Sequence, residues 1–146
     1  MSTYPNTHKE IWDRWIALWN GDLTVADDLL ADELRVNSPK LSPAVDPSQI
    51  RDRAGAVALI GGVQAMARLR YETVVGPIGD GDHVTGGWAF TGTYNGGMPG
   101  VTAPPGTPLT NTGIDILRIE RGRVVEWWSA AENLTLLATL GLIHVG

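Results

Sequence analysis

Residues 109–130, LTNTGIDILRIERGRVVEWWSA, decide the fold. Leu109–Glu120 and Arg123–Ala130 are rich in β-branched and aromatic residues, the signature of strands. Arg121-Gly122 between them is a two-residue hairpin turn, with Ile119 and Val124 close on either side. Upstream, Asp82–Tyr94 and Tyr71–Val75 read as two further strands joined by the tight turn Gly79-Asp80-Gly81-Asp82. Between Tyr94 and Leu109 the run NGGMPGVTAPPGTP has too much Gly and Pro for strand or helix. After Ala130 a last helix is expected over Glu132–Leu140, stopped by Gly141.

Toward the start of the chain the period becomes helical. Residues 6–20 place Ile11, Trp12, Trp15, Ile16, Leu18 and Trp19 at helical spacing, with Asn6 or Thr7 able to cap and Asn20-Gly21 to stop. Asp22 or Thr24 opens a short second helix through Leu30, followed by a short strand, Leu34–Asn37. Residues 38–54, with three prolines, read as a long loop of the kind that often binds or covers a ligand. A third helix is expected from about Ala54 to Arg70, weakened by Gly61-Gly62 at its middle. Helices first, then an antiparallel meander, then a closing helix define an α+β chain rather than alternating βαβ units.

Composition narrows the function classes. At 146 residues and 43% apolar, the chain fits one domain, 1–146, with a real core. Eleven basic against sixteen acidic residues give a net charge of −5 with no basic stripe, which argues against nucleic acid and against an anionic membrane surface. No apolar run approaches the ~20 residues needed to span a bilayer, and the first residues lack a leader pattern, so a cytoplasmic address is expected. Without cysteine there is neither a disulfide framework nor thiolate chemistry. His8, His83 and His144 are isolated, so no metal is expected; no Gly-x-Ser-x-Gly nucleophile or dinucleotide loop occurs, so no cofactor is expected.

Two carboxylates stand out. Asp115 lies between Ile114 and Ile116 in a strand, where a carboxylate is costly unless paired, solvated or protonated. Facing a pocket it would have a raised pKa and could exchange a proton near neutrality; facing water it would be an ordinary surface acid. Glu132 stands at the start of the last helix, where the helix dipole favours a negative charge. Counting back from a plain two-residue turn sets Asp115 opposite Trp128 and Asn111 near Glu132, which makes Asp115 and Glu132 a candidate acid–base pair. Trp12, Trp15 and Trp19 form a helix stripe suited first to the core, and Trp15 and Trp19, with Trp88, Tyr94 and Trp128, are candidates for a pocket wall.

Gly81-Asp82-His83-Val84, Thr91-Gly92-Thr93-Tyr94, Pro104-Pro105-Gly106-Thr107, Gly113 to Ile119, Gly122 to Trp128, Glu132-Asn133-Leu134 and Leu137-x-x-Leu140-Gly141 follow one another in a specific order and spacing. That segment, Gly81 to Gly141, resembles the SnoaL-like polyketide cyclases of the nuclear-transport-factor-two-like superfamily. The resemblance implies a curved sheet wrapped by N-terminal helices into a cone around an apolar pocket, usually a homodimer without cofactor. It implies acid–base closure of a polyketide ring on a small, largely apolar substrate. Asp115 is similar in position to the enolate-binding acid of ketosteroid isomerase, and Glu132 stands where the family usually has Asp. Asn37 precedes Ser38-Pro39 where the family often has His or Asp, and is a candidate substrate contact; Tyr94 replaces a frequent His. An epoxide-opening enzyme would need an Arg beside Asp115, and the nearby Arg118 alternates away from it. A non-catalytic binding domain is the other alternative.

Overall fold

The computed structural model describes residues 7–40 and 46–144. Asn6, one of the two expected helix caps, and residues 41–45 of the long loop lie outside them. Helix α1, His8–Trp19, is capped by Thr7, whose hydroxyl accepts from Glu10 N, and it buries Ile11, Trp12, Trp15 and Leu18. A 3-10 turn at Leu23–Val25 leads into the one-turn helix α2, Ala26–Leu29, and strand β1, Leu30–Asn37, begins at once. A second 3-10 turn, Pro47–Gln49, precedes α3, Arg53–Met66, whose cap is Asp52. Then come β2 (Ala67–Asp80), β3 (His83–Tyr94), β4 (Pro108–Glu120), β5 (Arg123–Ala131) and α4 (Asn133–Leu140).

The five strands form one open, mixed sheet in the order β1-β5-β4-β3-β2. The β2–β5 meander is antiparallel, and β1 closes the far edge parallel to β5. This is the α+β architecture expected. Pro77 is tolerated in β2 because that strand is the other edge, where a missing N–H costs no ladder bond. Helices cover one face. Trp12 of α1 donates to Thr73 Oγ1 of β2 at 2.9 Å, and Asn20 ends α1 while clamping the backbone of Tyr71 from both sides. No described helix is long and apolar enough to cross a membrane.

Three sequence expectations are corrected. The third helix ends at Met66 rather than Arg70, because Ala67–Arg70 pair with Thr91–Tyr94 as the start of β2. Gly61-Gly62 does not break it. The second helix stops at Leu29, since Leu30 is already extended as the first residue of β1.

The largest correction concerns register. The hairpin turn is Arg121-Gly122, both at positive φ as a type I′ turn requires. Past it, Ile119 faces Val124 but Arg118 faces Glu126, so Val125 is an extra bulge residue. Every pair beyond is offset by one from the plain count: Asp115 faces Ser129, and Ile116 faces Trp128. A one-residue slip exchanges the two faces of a strand. Trp127 and Ser129 therefore point to the helix-covered side and Trp128 to the outer side.

Candidate functional site

Alternate residues of β4 face the helices: Leu109, Asn111, Asp115 and Leu117 are buried, whereas Thr110, Thr112, Ile114 and Ile116 are exposed. Asp115 is only 5% exposed. Its Oδ2 accepts a hydrogen bond from Trp15 Nε1 at 2.9 Å, a contact carried across the cone from α1. Its Oδ1 is buried and has no partner. Burial pushes the Asp115 carboxyl up from the ordinary carboxylate range, opposed first by Trp15 and more weakly by the nearby Ser129 and Trp88. Neither of those two completes a hydrogen bond to Asp115, and the Trp88 N–H is itself buried without a partner. Tyr71, next to the Trp88 and Phe90 rings, has its phenol raised by burial and by the charge of Asp115.

These groups line a cavity of about 430 Å³ between the sheet and helices α1, α3 and α4. That volume falls in the range of small-molecule sites. The wall is almost wholly apolar: Trp15, Trp19, Met66, Leu69, Trp88, Phe90, Met98, Leu109, Leu136 and Leu140 are part of it. Trp15, Trp19, Trp88, Tyr94 and Asp115 thus come together as lining residues. Trp88 lies flat because Gly113, its partner on β4, has no side chain; a Cβ there would collide with the indole. Its ring runs parallel to Phe90, the planes 8° apart with centroids at 6.0 Å. Tyr94 also fixes the mouth, since its hydroxyl accepts from Met98 N at 2.8 Å.

Three candidates lie elsewhere. Trp128 is on the outer face, near His83 at 6.2 Å between ring centroids, because of the bulge at Val125. Glu132 is exposed at the start of α4, where its main-chain N–H donates to Thr112 O, and it does not line the cavity. Asn37 is drawn to the sheet edge by Glu126, to which its Nδ2 donates at 2.9 Å, and is likewise not a lining residue. The proposed Asp115–Glu132 pairing is therefore not formed. Arg118 is outside as well, held by Glu120 and Glu126. Sequence reasoning missed Tyr71, Asn111, Ser129 and Asn133. Asn111 carried a usable signal, lying four residues from Asp115 and hence on the same strand face. Among the described residues no three His, Asp or Glu side chains converge as metal ligands.

A mixed sheet folded over a cavity with one buried acid defines a small α+β cone of the kind that holds an apolar ligand against its sheet. The chain belongs to the SnoaL-like polyketide cyclase family, whose profile matches residues 9–140. Among solved structures it is similar to wild-type IdmH from Streptomyces antibioticus, a candidate polyketide cyclase. That likeness has 28% identity and a TM-score of 0.77, covering 93% of this chain and 99% of that one. A candidate polyketide cyclase from Acidithiobacillus ferrooxidans shares the fold at 22% identity, with a TM-score of 0.78 and coverage of 97% and 98%. So does AclR of Streptomyces galilaeus, a candidate hydroxylase, at 23% identity and TM-score 0.74, covering 94% of this chain and 87% of that one. No curated protein sequence matches significantly.

Proposed function

We propose that this chain is a cofactor-free acid–base enzyme that enolises a largely apolar carbonyl compound and closes a ring on it. The observation that carries this is Asp115: among the described lining residues it is the only carboxylate, and no His, Lys, Arg or Glu accompanies it. Trp15 N–H can only donate, so Oδ2 must accept, which leaves Oδ1 as the oxygen that takes up and gives back a proton. In the ionised form Oδ1 removes a proton from the carbon beside a carbonyl. The C–H electron pair moves onto the carbonyl oxygen, where the unpartnered Trp88 N–H is available to stabilise the enolate. The enolate carbon then attacks a second carbonyl within the same molecule and forms a C–C bond. The resulting alkoxide takes the proton back from Oδ1, so atoms and charge balance with no external reagent. A pKa raised toward neutrality suits both transfers, because acid–base efficiency is greatest when the catalytic pKa is near the working pH.

The wall residues Trp15, Trp19, Trp88 and Tyr94 serve as substrate contacts in this reading, and residues 1–146 act as one cytoplasmic domain. Two outer rows also support a homodimer. Val75, Gly87, Ile114 and Ala130 lie side by side across four strands, as do Ile78, Thr85, Ile116 and Trp128. Val75, Ile78 and Ile114 are each more than half exposed on this face, an apolar surface suited to a second copy. An epoxide-opening reaction lacks its arginine, because Arg118 faces away.

The test is deuterium incorporation into the α-carbon of β-tetralone, followed by NMR. The wild type should accelerate exchange, and Asp115→Asn should lose about a hundredfold or more of that acceleration. Exchange in Asp115→Asn within about tenfold of wild type removes the proposed chemistry. Binding of the ketone without exchange by the wild type favours a binding domain instead.

A further inference from the structure

Four residues along β4 from Asp115, a second polar group lines the same cavity. Asn111 is 7% exposed, an amide in an otherwise apolar stretch of wall. Its Nδ2 donates to Asn133 Oδ1 at 3.3 Å, and its Oδ1 accepts from Thr112 N at 2.8 Å. Two amides offer four N–H donors and two carbonyl oxygens. Their mutual bond and the Thr112 contact use one of those donors and leave further N–H groups and lone pairs beside the cavity. At ~3.3 Å per residue, Asn111 and Asp115 are about 13 Å apart along the strand. The interval between them is floored by the Trp88 ring, which lies over Gly113, with Phe90 parallel to it. The cavity thus has a polar station at each end and a flat aromatic floor between.

We propose that Asn111 and Asn133 form a second polar subsite, which reads an oxygen function at the far end of an elongated, flat ligand whose reacting end is at Asp115. This rests on the reading that the cavity takes its ligand against Asp115. It makes the substrate a conjugated or aromatic molecule with oxygens at both ends, and makes Asn111 a specificity residue rather than a catalytic one. A purely structural role, tying β4 to the start of α4, is the competing account. It predicts that removing the amide affects all ligands alike.

The experiment compares two rigid probes, trans-stilbene with a para hydroxyl on one ring and the same skeleton with one on each ring. Binding is followed by quenching of tryptophan fluorescence. The wild type should bind the two-hydroxyl probe about tenfold more tightly, roughly what one well-made hydrogen bond contributes. Asn111→Leu should abolish that ratio while leaving the affinity for the one-hydroxyl probe unchanged. Asn133→Ala, at the half-buried first residue of α4, should reduce the ratio and serves where Asn111→Leu does not fold. Equal affinities in the wild type, or a parallel loss for both probes in the variants, overturns the subsite. Because the readout is binding, a protein that prefers the two-hydroxyl probe but fails to exchange deuterium refutes the proton-transfer reading and leaves the subsite standing.

Discussion

Trp15→Phe isolates the bond that holds the buried acid. Trp15 is fully buried, packs edge-on against Trp127 at 4.9 Å and supplies the hydrogen bond to Asp115 Oδ2. Phenylalanine keeps a ring in the same place but removes the N–H. Since Oδ1 already lacks a partner, the carboxyl would then have none, which costs about 1–3 kcal/mol for a buried acceptor. The smaller ring also gives up ~40 Å² of apolar burial, a further ~1 kcal/mol at ~25 cal/mol per Å². The expected loss is ~2–4 kcal/mol, a fall in Tm of roughly 5–15 °C for a chain of this size. The pH dependence separates the two parts. Burial already holds the folded pKa of Asp115 above its unfolded value, so the native state binds a proton that the unfolded state releases. Stability from this group is therefore full below about pH 4, the unfolded range, and falls as pH rises through the folded pKa. Removing the Trp15 donor raises the folded pKa further. The penalty of Trp15→Phe should be smaller under acid conditions than at pH 7, and in an Asp115→Asn background its pH dependence should vanish. Urea unfolding of the four proteins across pH measures this. A penalty that is the same at every pH, or one whose pH dependence survives in Asp115→Asn, refutes the assignment of Trp15 as the partner of the buried acid.

Three further outcomes follow from the same geometry. Gly61 and Gly62 sit inside α3, and a Cβ at either meets nothing within 4 Å, so alanine at each should raise stability by ~0.5–1 kcal/mol in thermal melts. Leucine separates them, because Gly62 lines the cavity and Gly61 does not: Gly62→Leu should weaken binding of β-tetralone and Gly61→Leu should not. Glu132→Gln should retain deuterium exchange within about twofold of wild type, its side chain being exposed and away from the cavity, as removal of a group that contacts no reacting atom costs no transition-state stabilisation. Ile114→Lys, in the middle of the outer sheet face, should shift sedimentation from dimer to monomer without changing the melting profile of the isolated fold by more than about 0.5 kcal/mol, as expected for an exposed position.

What could be read from the sequence followed from period. The four meander strands alternate strongly enough to identify themselves, and Asp115 was legible as an odd carboxylate because its neighbours are Ile114 and Ile116. The end of α3 was not legible. Ala67-Arg68-Leu69-Arg70 satisfies helix propensity and strand alternation equally, and only pairing with Thr91–Tyr94 decides between them. Tyr71 escaped notice because it stands at the point where one pattern gives way to the other. Asn111 looked like an ordinary polar residue near a strand start; its burial depends on the cavity, which no local pattern encodes.

The misplacement of Glu132 and Trp128 has one cause, and it is also what builds the site. A plain hairpin would pair Asp115 with Trp128 and turn Trp127 outward. The extra residue Val125 shifts β5 by one, which brings Trp127 under α1, where its ring meets Trp15. Trp15, fixed there, directs its N–H at Asp115. The same shift sets the small Ser129 beside the acid, where Trp128 would otherwise occupy the cavity, and frees Trp128 for the outer face. The bulge thus makes room for a ligand and orients the acid in a single step, which fits the tendency of bulges to occur beside functional sites. It also explains why the carboxyl was found from sequence and its partners were not. A residue's own chemistry is local, but its neighbours depend on a register that one inserted residue can change.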